Sequence, residues 1–107
     1  MTNNNYSVEI IRYAIPLEES VSFEKAYADA AIHLKASQYC LGYRLLHGDE
    51  EPENYVLIIH WTSKEDHMNG FRKSAQFPPF FALIKPYYNN IREMKHYDIT
   101  ATDWNRS

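Results

Sequence analysis

One cysteine, three glycines and no excess of positive charge are what this chain has least of. A single thiol, Cys40, cannot close an internal disulfide and suits a reducing compartment such as the cytoplasm. With 11 Lys and Arg against 14 Asp and Glu there is no basic stripe, which argues against a nucleic-acid partner. No apolar run approaches the roughly 18–20 residues that cross a bilayer, and the start MTNNN is too polar for a secretory signal. No membrane partner is expected. The chain also lacks a phosphate loop, a Cys-x-x-Cys pair, a His-Glu-x-x-His helix and a nucleophile elbow. None of His33, His47, His60, His67 and His96 pairs with another at metal-ligand spacing along a helix. Neither a metal nor any other cofactor is expected.

What is abundant is aromatic surface: 15% of the 107 residues, including nine tyrosines. Such side chains can line a pocket for a flat, unsaturated molecule, and they also serve small α+β domains at strand faces and interfaces. The length suits one domain, placed at residues 6–100, with polar tails at 1–5 and 101–107. Val8 to Ile15 reads as a strand ended by Pro16. Phe23, Ala26, Tyr27, Ala30 and Leu34 then recur at helical spacing, predicting a helix to about Ala36. Cys40–His47 and Tyr55–Trp61 form a hairpin around the polar loop HGDEEPEN. A second helix is expected over about Lys64–Lys73, with Gly70 as its weak point and either Thr62–Glu65 or Ser63–Asp66 as its capping box. Pro78-Pro79 can start a further helical turn, and Ile91–Ile99 reads as the last strand.

The order is β-α-β-β-α-β, a ferredoxin-like α+β fold with one antiparallel four-stranded sheet and both helices on one face. Strand three offers Leu57, Ile59 and Trp61 to one face and Val56 and Ile58 to the other. Two short helices cover only one apolar face, so a homodimer packed face to face is expected to cover the second.

Two histidines suit chemistry. His60 is the polar ring in an otherwise apolar strand, and His67 lies four residues before Phe71 on the second helix. Trp61 can wall an aromatic pocket or plug the core, and Phe71 and Phe80 can do both. Arg12 and Arg44 interrupt strands, where a cavity-facing guanidinium could hold a phenolate or carboxylate. Tyr13 and Tyr43 occupy the opposite strand faces from those arginines.

The stretch YVLIIHWTSKEDHMNGFRKSAQFPPFF, from Tyr55 to Phe81, combines Trp-x-Ser, an acidic helix start, Phe and Ser-x-x-Phe. In that order it resembles the antibiotic biosynthesis monooxygenase family of dimeric α/β barrels, over roughly Val8 to Ile99. The resemblance implies a shared barrel with one cavity per subunit between sheet and helices. It also implies oxidation of a phenolic small aromatic molecule to a quinone by dioxygen, without metal, haem or flavin. In that chemistry His60 or His67 would be the base, Trp61, Phe71 and Phe80 the walls, and Arg44 or Tyr43 the partner of the anion. Another branch of the fold degrades haem with a Trp in helix two and a His ligand beyond it. Counted from Trp61, those positions hold Gly70 and about Phe81, so haem degradation is not expected. A barrel that binds a small molecule without transforming it is the remaining alternative.

Overall fold

A computed structural model describes residues 6–107. The elements run β1 (Ser7–Ala14), α1 (Ser20–Lys35), β2 (Cys40–His47), β3 (Asn54–Trp61), α2 (Phe77–Ile84) and β4 (Ile91–Asp98). The strands form one antiparallel sheet in the order β2-β3-β1-β4. This is the ferredoxin-like arrangement, with both helices on one face. The expected tail at residues 1–5 lies outside the described residues, and residues 101–107 are exposed and without helix or strand.

Alternation decides what each strand buries. Ser7, Glu9, Ile11 and Tyr13 of β1 face the helices, as do Tyr55, Leu57, Ile59 and Trp61 of β3. Helix α1 lays Phe23, Tyr27, Ala30 and Leu34 on them. Edge-to-face rings join the layers, with Phe23 centred 4.9 Å from Tyr13 and 5.1 Å from Tyr87. The Tyr13 and Tyr27 hydroxyls hydrogen-bond to each other inside this core. Burial and that partner are linked: burial pushes the Tyr13 phenol up to about 12, while the bond to Tyr27 pulls against it.

The open face carries Val8, Ile10 and Arg12 from β1 and Val56, Ile58 and His60 from β3. The four aliphatic residues are half-buried within one chain, and His60 is exposed. Strand three is therefore fully covered on one face only.

The segment expected as a second helix over Lys64–Lys73 is not a regular α-helix. A π-turn at Asp66–Gly70 passes straight into a 3₁₀ turn at Phe71–Lys73. Ser63 starts it, its Oγ accepting the Asp66 N–H at 2.8 Å. The Asp66 carboxylate takes the Thr62 hydroxyl at 2.6 Å instead of closing a reciprocal box, and the Thr62–Glu65 alternative is not formed. Tyr39 shapes this turn: a Cβ on Gly70 would stand 2.7 Å from its ring. Gly70→Ala is expected to cost about 1–3 kcal/mol in urea unfolding, as overpacking does; an unchanged midpoint would show that the Tyr39 ring does not define the turn.

Candidate active site

A buried carboxylate is the feature that sets this molecule apart from an ordinary core. Glu9 is only 2% exposed, because it holds an inward position of β1 between Ile59 of β3 and His96 of β4. Carboxylates are rarely buried without partners. Here Trp61, at the end of β3, donates its indole N–H to Glu9 Oε1 at 3.1 Å. His67 Nε2 lies 3.5 Å from the same oxygen.

The π-turn is what brings His67 there. π-turns widen a helix by one residue and recur at functional sites. In this one the His67 ring stacks on Trp61 with centroids 4.3 Å apart and planes 11° from parallel. Its Nδ1 is 2.7 Å from His96 Nε2. The result is a chain of polar atoms from Glu9 through His67 to His96, which is half-buried at the edge strand.

Electrostatics follow from burial. Desolvation pushes the Glu9 carboxyl up to about 7, against the Trp61 hydrogen bond and the Arg72 charge, which lower it. Desolvation pushes His67 down to about 3, with the Arg72 charge and His96 acting in the same direction. His96 is lowered too, first by burial and then by Lys64 and Arg72. At neutral pH His67 is an uncharged imidazole with one N–H to place. With Glu9 ionised, that proton belongs on Nε2, and Nδ1 accepts from His96. With Glu9 protonated, the proton sits on Nδ1 and is donated to His96. Loading a proton on Glu9 and passing one toward the surface are thus coupled through one ring.

The same shifts predict a pH dependence of stability. Glu9's contribution is full below about 4.5 and is lost as pH rises to about 7, because the folded state holds the proton more tightly. His67 acts in the opposite sense, adding stability as pH rises from about 3 to 6.5. Between about 4.5 and 6.5 the two oppose each other. Removing Glu9's share with Glu9→Gln should make unfolding free energy climb more steeply across that interval, by about 1.4 kcal/mol per pH unit relative to wild type. Parallel curves for the two proteins would contradict a raised Glu9.

Glu9 also faces a cavity of ≈ 50 Å³ between the sheet and α2. Trp61, Phe71, Phe77 and Phe80 wall it, and among the described residues Glu9 is the sole charged one of its lining. Half-buried Phe81 and exposed Tyr88 and Met94 close its outer side. The space suits a molecule of a few atoms, far below the 300–1,000 Å³ of a typical ligand pocket. An aromatic substrate would need these three outer side chains to move. A second, open space of ≈ 480 Å³ lies between α1 and β2. Tyr43 and Arg44 border it, Leu34 lines both spaces, and the Tyr13–Tyr27 hydroxyl pair stands between them.

Of the residues singled out in the sequence, the fold brings Trp61, His67, Phe71 and Phe80 together around Glu9. Tyr43 belongs to the other space, while Arg44, which borders that space, registers with Ile58 on the open face. His60 joins neither, since its side chain leaves the sheet on the face opposite Trp61. Glu9 and His96 were missed. The available signal was Glu9's parity: an acid at an inward position between Ser7 and Ile11 has to find a partner.

Residues 7–83 match the family model described as antibiotic biosynthesis monooxygenase. The chain belongs to the antibiotic biosynthesis monooxygenase family. Bacillus subtilis YczJ, itself uncharacterised, is 29% identical over 75 residues, covering 70% of this chain and 79% of that one. A Bordetella bronchiseptica protein bearing the family's name superposes with a TM-score of 0.73 at 24% identity, over 90% of this chain and 98% of its own. SnoaB of Streptomyces nogalater, a cofactor-independent oxygenase, superposes with a TM-score of 0.70 at 18% identity, over 94% and 96%. Those two likenesses establish the shared fold.

Proposed function

We propose that this protein is a cofactor-independent monooxygenase that oxidises an electron-rich phenolic aromatic to a quinone, with Glu9 as its base. The observation that carries this reading is a buried carboxylate facing an aromatic cavity in which, among the described residues, no other charged group stands. Family membership and the likeness to SnoaB support it.

Removing the phenolic proton gives an anion that can pass an electron to dioxygen. The radical pair then collapses into a new C–O bond, and loss of water from the hydroperoxide leaves the quinone carbonyl. For an anthrol the substrate supplies all four electrons, so no reductant is needed. Glu9 takes the proton, and His67 passes one on toward His96. Trp61, Phe71 and Phe80 exclude water from the anion and stack on its ring. Tyr43, in the α1–β2 space, would hold the polar end of a substrate large enough to span both, whereas Arg44 registers with Ile58 on the open face and would not. His60 has no part in this reading because it is exposed on the far face. Oxygen uptake by chelator-treated protein against a panel of anthrols and other monophenols tests the proposal. Uptake above the spontaneous rate with quinone formation is expected, and none across the panel would favour a barrel that only binds.

The reading includes a homodimer in the reducing cytoplasm, in which two open faces meet through Val8, Ile10, Val56 and Ile58. Light scattering on the eluting protein should give twice the chain mass, and Ile58→Asp should give the chain mass alone. A wild-type monomer would rule the shared barrel out.

A further inference from the structure

We propose that Glu9, His67 and His96 bind a first-row divalent transition cation such as zinc. Each offers one ligand atom, and those atoms lie within 4.8 Å of one another. Around a tetrahedral cation with bonds of about 2.0–2.1 Å, neighbouring ligand atoms stand about 3.3 Å apart. Side-chain shifts on the order of 1 Å close the set once His67, which now meets Glu9 and His96 through opposite ring nitrogens, gives up its 2.7 Å contact with His96. The backbone has already done the rest: Glu9 and His96 are register partners on adjacent strands, and the π-turn lowers His67 onto them.

The ligand chemistry is two imidazoles and one carboxylate, which suits zinc, copper and their neighbours rather than magnesium or calcium. Outer partners are in place as well. Trp61 donates to Glu9 Oε1 and stacks flat against His67, fixing a carboxylate and a ring that would otherwise turn. Arg72 and Lys64 lie close enough to act on these groups, and their charges weaken the site relative to a structural zinc centre. Three protein ligands leave a fourth coordination position open.

A cation here occupies the carboxylate that would otherwise accept a proton, so it would inhibit the proposed oxidation. That consequence rests on the proposed activity; the binding itself does not. Calorimetric titration of the chelator-treated full chain with zinc chloride reads binding directly, with no substrate present. One zinc per chain is expected, with affinity lowered about tenfold or more in Glu9→Gln and in His96→Gln and unchanged in His33→Gln and His47→Gln. His96 is half-buried, so that variant is the one best placed to keep the fold, as circular dichroism would verify. A cobalt titration should add a visible d–d band that His96→Gln removes. Absence of saturable binding would overturn the site, and so would an affinity untouched by His96→Gln or lowered equally by His33→Gln.

Discussion

Glu9→Gln should slow quinone formation by about two to four orders of magnitude, the span that a positioned base contributes. Glutamine keeps the volume and an oxygen for the Trp61 N–H, now 3.1 Å from Glu9 Oε1, but it cannot take a proton. The loss should therefore fall on turnover, with the fold and the Trp61 environment intact. An alternative base would leave a different signature. If a group on the open face such as His60 removed the proton, Glu9→Gln would be nearly silent and His60→Ala would carry the loss. The opposite pattern is expected, because His60 and the cavity lie on different faces of the sheet.

Trp61→Ala should be the most destabilising single change in the site. Trp61 is fully buried, lies against Phe71 with ring centroids 5.1 Å apart, stacks on His67 and donates to Glu9. Truncating a buried Trp costs about 3–5 kcal/mol, and depriving a buried carboxylate of a donor adds about 1–3. Against a typical stability of about 5–15 kcal/mol, that sum removes a large share, and all of it at the low end. Trp61→Phe separates the two contributions, keeping most of the packing and losing only the N–H. It should cost about 1–3 kcal/mol in urea unfolding. Should Trp61→Ala cost no more than Trp61→Phe, the indole would be marginal to the core and the site would lack its support.

Much of this molecule is legible in its residues. The bounds of β2 coincide with the expected Cys40–His47, because apolar residues end there against the polar hairpin loop. The α1 stripe from Phe23 to Leu34 is the buried one. Parity also separated the tyrosines from the arginines without saying which faces the helices: in the structure Tyr13 and Tyr43 fall on the helix side, while Arg12 and Arg44 register with Val56 and Ile58 on the open face. By that parity His60 falls with Val56 and Ile58, so its distance from Trp61's face was readable in the alternation. The π-turn was not. It sets Gly70 against the Tyr39 ring, a contact between residues far apart in the chain. The pairing of Glu9 with His96 is harder still, since it joins the first strand to the last through a register that β4 shifts between Arg12 and Tyr13. Local patterns specify faces, and only the assembled sheet specifies which inward residues become neighbours.

The most direct test is the fate of dioxygen. Chelator-treated protein would be given an anthrol under ¹⁸O₂, and the quinone analysed by mass spectrometry. One labelled oxygen per quinone is predicted, with formation accelerated by wild type and not by Glu9→Gln. Quinone carrying only solvent oxygen, or formed equally fast with Glu9→Gln, would contradict a monooxygenase built on Glu9.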